Sequence, residues 1–208
     1  VLKENVHFLS APCFYTNGKG RTEQAFCDDL VSELERKILD VGPENIMCYI
    51  AEPVLGSGGV IVPPDGYNRR CWEVVKKHGI VYIADEVVTA FGRLGHWFAS
   101  EAVFAVVPDI ITFAKGVTSG YLPLGGYAVS DAFMAEISGD KSGGNCYSNG
   151  YTWSANPVSC AAAIASWDII EQEGLLDHVR DVGPYFQAQL RTLQDHPLVG
   201  VVRGTGLM

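Results

Sequence analysis

IVYIADEVVTAFGRLGHWF (residues 80–98) and PDIITFAKGVTSG (residues 108–120) each contain a short, mostly apolar run that breaks at an ionisable side chain, Asp85 in the first and Lys115 in the second. Residues 80–84 and 109–114 therefore read as strands. The segment before the first is a helix that starts at Asp65, runs through Trp72, Val74 and Val75, and stops at His78-Gly79, where glycine suits a left-handed cap. Upstream of it, NIMCYIAEP (residues 45–53) is almost wholly apolar, which is how a strand covered on both faces reads, and it ends at Glu52. Strand, helix, strand is the rhythm of a parallel sheet.

Further out, Thr22 caps a helix whose Leu30, Val31, Leu34 and Ile38 share one face and which Gly42-Pro43 stops. Downstream, a short helix from about Ser100 leads into residues 109–114, and GGYAVS (residues 125–130) is another strand. Asn156-Pro157 opens an Ala-rich helix that Gly174 ends, and a second helix spans residues 175–194. SGDKSGGNCYSNG (residues 138–150) is a long structureless stretch of the kind that often carries function. The tail LVGVVRGTGLM (residues 198–208) reads as a strand whose neighbours lie beyond it. The fold class expected is α/β, a mostly parallel sheet sandwiched by helices.

The 208 residues, 48% of them hydrophobic, suffice for a sizeable core. With 24 acidic against 15 basic residues, a net charge of -9 and no Lys/Arg cluster, neither nucleic acid nor an anionic membrane is the expected partner. Cys13, Cys27, Cys48, Cys71, Cys146 and Cys160 form no CxxC pair, so no zinc site or disulfide framework is expected, and reduced thiols suit the cytoplasm. The five histidines share no ligand spacing, and His78 and His96 lie beside glycines at turns, so no metal is expected. No signal peptide or membrane span is read.

Three apolar strands thus deliver Glu52, Asp85 and Lys115 at their C-terminal ends, where open α/β sheets bind ligands. Alone, Asp85 is an ordinary turn or capping aspartate and Lys115 an exposed strand-end lysine. Together, on neighbouring buried strands, they are a carboxylate and an amine that an apolar surround makes available as a nucleophile near neutral pH. The loop GSGG (residues 56–59) lacks a following GK[ST] and is not a nucleotide site, and no GxGxxG follows the first strand.

The stretches IADEVVTAFGRLGHWF, PDIITFAKGVTSGYLPLGG and NGYTWSANPVSCAAA, with AEPVLGSGGVIVPP and VGVVRGTGLM, resemble the successive signatures of class III (omega-amino-acid type) aminotransferases. The resemblance spans the chain and corresponds to roughly the middle half of such an enzyme. It implies the large domain of a fold-type I transferase that uses pyridoxal 5'-phosphate, over residues 1–195 with its N-terminal part missing, and residues 196–208 opening a truncated C-terminal α+β domain. It also implies transamination by a ping-pong mechanism between an amine or omega-amino acid and a pyruvate-like 2-keto acid.

By the same resemblance, Lys115 is the Schiff-base lysine and Asp85 the partner of the pyridine nitrogen. Val87, otherwise ordinary core, packs on the cofactor ring. Thr152 binds the cofactor phosphate of the neighbouring subunit in a homodimer. Glu52, otherwise a structural salt-bridge residue, lies toward the substrate, and Tyr15 walls the substrate pocket, with Trp153 a further hint. The chain departs from the family at Ala90, Asn149, Ala155 and Asn156. Val88 stands where decarboxylases of the family carry glutamine, which favours transamination. An aminomutase or racemase would keep Lys115 and Asp85 equally, and a short remnant serving as association partner is the alternative outside catalysis.

Overall fold

The computed structural model describes residues 5–138 and 150–208. Most of the long stretch after Ser138, with Cys146 and Asn149, lies outside the described residues. A one-turn helix α1 (Phe14–Asn17), absent from the sequence reading, precedes α2 (Glu23–Val41). Thr22 lies in extended backbone and its hydroxyl accepts the Ala25 amide at 3.2 Å, satisfying one of the free amides of the first turn of α2. Gly42, at φ 86, ends it as expected. Phe26, Leu30, Leu34 and Ile38 recur every four residues and are all buried on one face.

The strands β1 (Cys48–Ala51), β2 (Val81–Asp85), β3 (Ile110–Phe113) and β4 (Gly126–Val129) lie in sequence order across one sheet. The first two pairings are parallel and the third antiparallel. Helix α3 (Tyr67–Lys77) makes the first crossover and the short α4 (Ala99–Phe104) lies in the second. Helices α5 (Asp131–Ser138), α6 (Pro157–Gln172) and α7 (Leu175–Arg191) follow the sheet. This is the expected mixed sheet with flanking helices.

Alternation assigns the two faces of the sheet. Tyr49, Tyr82, Ala84 and Ile111 pack with α2 and α3, where Phe26, Leu30, Leu34, Ile38, Cys71 and Val75 complete the main core. Each large apolar side chain so buried contributes about 1.5–3 kcal/mol before chain entropy is counted. The opposite face carries Ile50, Ile83 and Ile110 in register. There the reading of residues 45–53 as a strand covered on both faces is corrected: among the described residues β1 is an outer strand of the sheet and Ile50 is 58% exposed. An apolar run reports that a strand lies in a sheet but not whether it lies at the edge.

Helix α3 starts at Tyr67 and not at Asp65. Gly66, left-handed at φ 73, occupies the cap position after a turn in which the Tyr67 amide donates to the Pro64 carbonyl. Helix α5 was also not foreseen, although Ser130 both accepts the Phe133 amide on its hydroxyl and begins the helical ladder. The expected strand in the tail does not form. A strand needs a ladder partner, and here the tail's polar groups are taken by other elements. The Leu207 amide donates to Arg93 O, and Gln187 of α7 donates to the carbonyls of Gly206 and Met208. Among the described residues no helix is long and apolar enough to cross a membrane.

Candidate active site

Asp85 closes β2 and pairs in register with Thr112 of β3, three positions before Lys115. Ala51 pairs with Ala84, so Glu52 comes level with Asp85. Because β1, β2 and β3 run parallel, all three residues arrive at the same edge of the sheet, as the sequence predicts. Asp85 points away from the Tyr82–Ala84 core face. It is half-buried, and its Oδ1 accepts the Val87 amide at 3.1 Å, an Asx turn that starts the descending loop. Among the described residues no other hydrogen bond or ion pair occupies that carboxylate.

Lys115 stands two residues beyond the end of β3 and opens a 3₁₀ turn, Lys115–Thr118. It is exposed, and among the described residues its amine has no ion-pair partner. Its backbone is left-handed at φ 42, a conformation that costs a side-chain-bearing residue about 1–2 kcal/mol and persists only where neighbours impose it.

Those neighbours are specific. Val117 and Thr118 are buried. Trp167 of α6 donates its indole N–H to Val117 O at 3.0 Å, and the hydroxyls of Ser119 and Ser166 meet at 2.6 Å. Thr118 donates its own hydroxyl to Leu122 O at 2.6 Å. Gly116 is closely approached: a Cβ there would lie 3.0 Å from Phe91 Cβ, so Phe91 would have to give by a few tenths of an ångström. The Phe91 ring stacks on Trp167 with centroids 5.8 Å apart and meets Phe113 and Phe98 edge-on. The Lys115 turn is thus clamped between α6 and the loop that descends from Asp85.

The start of α6 is itself well determined. Asn156 accepts the amides of Val158 and Ser159 at 3.0 and 3.3 Å on one side-chain oxygen, and Pro157 takes the first helical position. Just before it, Thr152 is exposed in a turn, and its hydroxyl has no partner among the described residues. Val87 is half-buried two positions beyond Asp85. Among the described residues Glu52 makes no salt bridge, and its Oε2 accepts the Gly56 amide at 2.9 Å. Gly56 lies against Val88, whose Cγ2 would be 2.9 Å from an added Cβ, so the GSGG loop serves close packing.

Tyr15 is placed apart from Lys115, Asp85 and Glu52. It lines a cleft of about 570 Å³ between α1, residues 61–63 and the tail, together with Arg191 and Arg203. Beside it, a hydrogen bond from Thr16 holds the Cys13 thiol below its ordinary range.

Sequence reasoning passed over Glu86, Phe91 and Trp167 as site residues. Glu86 carries a signal: strand alternation directs it to the same face as Tyr82 and Ala84, where a carboxylate must find donors. It finds four, and is fully buried. Phe91 and Trp167 carry no comparable local mark.

A family model described as Aminotransferase class-III matches residues 2–208. The chain is 41% identical over 201 residues to the putrescine–pyruvate aminotransferase of Pseudomonas aeruginosa, a match covering 96% of this chain and 43% of that protein. It is likewise 41% identical over 189 residues to the mitochondrial gamma-aminobutyrate transaminase 1 of Oryza sativa, over 91% of this chain and 36% of that one. Among solved structures, a thermostable (S)-enantioselective omega-transaminase from Thermomicrobium roseum superposes with a TM-score of 0.88 at 45% identity, covering 96% of this chain and 44% of that chain. An amine transaminase from an uncultivated Pseudomonas species, in its PLP-bound form, gives 0.88 at 42% identity over 96% and 45%. The chain spans less than half the length of these relatives.

Proposed function

Since the chain belongs to the class III aminotransferases, a family that uses pyridoxal phosphate, we propose that its sheet edge is the floor of the cofactor site. We propose further that the whole protein transfers an amino group between an amine or omega-amino acid and a pyruvate-like 2-keto acid. The observation that carries the reading is the pairing of Asp85 and Lys115 on adjacent parallel strands. One carboxylate oxygen and one amine there are uncommitted among the described residues. That donor set fits the group, which presents a basic ring nitrogen and an aldehyde. When bound, the cofactor supplies a carbonyl that carries the amino group and a protonated ring that takes up the electron pair released at the substrate carbon.

Each side chain then has a task. Lys115 Nζ would hold the cofactor by its aldehyde carbon and, when free, would carry a proton at that nitrogen. Asp85 keeps a proton on the ring nitrogen by accepting its hydrogen bond, since an adjacent carboxylate favours the charged form of a base. Val87 packs against the ring. The exposed Thr152 binds the cofactor phosphate of a second subunit in a homodimer. Glu52 faces the substrate. Residues 196–208 belong to the start of a second domain. The scattered cysteines, with no CxxC spacing, suit a reducing, cytoplasmic setting.

The test is borohydride reduction of the chain with pyridoxal phosphate, followed by peptide mapping. The label is expected on Lys115 and absent in Lys115→Ala, whereas a label concentrated on any other lysine refutes the assignment. Product analysis with pyruvate as acceptor separates transamination from isomerisation of the substrate.

A further inference from the structure

We infer that Glu86 is a positioning residue, whose buried carboxylate locks the loop after Asp85 and, through Phe91, the turn of Lys115, so that carboxylate and amine stand at a fixed spacing. The inference rests on the pyridoxal-phosphate reading of that pair.

Glu86 is adjacent to Asp85 in the chain but directed to the opposite side of the strand, where it is completely buried. Its Oε2 accepts the Ala99 amide at 2.7 Å and the Thr89 hydroxyl at 3.0 Å. Its Oε1 accepts the Ser100 amide at 2.7 Å and the Ser100 hydroxyl at 2.6 Å. Its own amide donates at 2.9 Å to the carbonyl of Thr112, the residue in register with Asp85. One carboxylate therefore ties the entry of the loop at Thr89 to its exit at Ala99 and Ser100, and the backbone of Glu86 ties both to β3.

A buried carboxylate is a costly way to join two loop ends, since apolar packing of similar volume avoids the desolvation. What it supplies is a unique geometry, because two oxygens with four donors accept only one arrangement. Between those ends the loop is folded tightly. Phe91 and Gly92 are left-handed at φ 55 and φ 89, and their amides donate to the carbonyls of Trp97 and His96 at 2.7 and 2.9 Å. Phe91 Cβ is then so close to Gly116 that no Cβ fits between them without a shift. In a close-packed contact of this kind a displacement of the loop is passed to the neighbouring residue, here the one after Lys115. Asp85 is joined to the same loop through the Val87 amide.

Glutamine at position 86 breaks the pattern without changing its size. Its amide nitrogen has to face either the Ala99 or the Ser100 N–H, donor against donor, at a place where the carboxylate oxygens sit 2.7 Å away.

The test compares two probes on the full chain: pyridoxal phosphate and its analogue with the ring nitrogen replaced by C–H. The half-saturating concentration for borohydride-fixed labelling of Lys115 is measured for each, together with the unfolding midpoint of every variant. Only the ring nitrogen addresses Asp85, so the ratio of the two concentrations reports where Asp85 stands. The wild-type ratio is expected to favour pyridoxal phosphate by roughly tenfold, as for a charge-assisted hydrogen bond, and Asp85→Asn to erase that preference. Glu86→Gln is expected to bring the ratio to within about twofold of the Asp85→Asn value, and the isosteric Thr89→Val to lower it by two- to threefold.

A Glu86→Gln ratio equal to wild type, with both probes weakened alike, overturns the inference and leaves the reading of Asp85 intact. A wild-type ratio that Asp85→Asn does not alter overturns that reading, and the inference with it. If Glu86→Gln does not fold, Thr89→Val decides: a lowered ratio supports the inference, and an unchanged one overturns it.

Discussion

Substituting Trp167 by phenylalanine separates the two ways in which α6 holds the Lys115 turn. The indole N–H donates to Val117 O at 3.0 Å, while the ring stacks on Phe91 at 5.8 Å and 18°. Phenylalanine keeps a ring for the stack and removes the donor. A neutral side-chain hydrogen bond contributes about 0.5–1.5 kcal/mol net, so Trp167→Phe should cost about 1 kcal/mol. For a chain of this length that lowers Tm by about 2–4 °C.

Alanine removes the ring as well. A fully buried aromatic is worth about 3–5 kcal/mol, and since Trp167 is 38% exposed the further loss should be about 2 kcal/mol. Urea denaturation followed by circular dichroism measures both variants, with midpoints compared at a common slope. A phenylalanine variant within ~0.3 kcal/mol of wild type would show that the bond does not restrain the turn. Equal costs for phenylalanine and alanine would show that the stack does not.

Two further outcomes follow from the same geometry. Lys115 sits at φ 42, so Lys115→Gly should be more stable than Lys115→Ala by about 1 kcal/mol in the same denaturation assay, because glycine enters the left-handed region without strain. An alanine variant as stable as the glycine one contradicts a strained backbone at the amine.

The core beneath β1 and β2 sets an alkaline limit. Burial, the leading cause in each case, pushes the Cys71 thiol from 9.0 up to about 12 and the hydroxyls of Tyr49, Tyr67 and Tyr82 well above the ordinary tyrosine value. Folded protein keeps these protons where the unfolded chain loses them, so the folded state binds more protons and stability falls with rising pH. Stability should be complete below pH 9 and decline from 9 toward 12, less steeply between 9 and 10 in Cys71→Ala. Urea midpoints across that range check it, and an unaltered slope in the variant refutes the role of Cys71.

Local chemistry alone made much of this protein legible. Helix caps at Thr22 and Asn156, glycine stops at Gly42 and Gly79, and apolar runs ending at Glu52, Asp85 and Lys115 all depend on residues within one or two turns of each other. The strand-end position of the Asp85–Lys115 pair follows from those runs, and their common edge follows from parallel crossovers. The tail could not be read this way, because an apolar run specifies a strand only when another strand lies beside it.

The outer position of β1 and the seat of Tyr15 in a separate cleft are equally properties of the assembled chain. So is the support beneath the pair. Glu86 meets donors thirteen and fourteen residues away, and Trp167 reaches a carbonyl fifty residues earlier. Such contacts obey no periodicity, since their partners are chosen by where the backbone passes in space. The two reactive groups belong to the ends of their strands, but their spacing is set by a buried carboxylate, a close approach at Gly116 and one indole nitrogen, which only tertiary packing brings together.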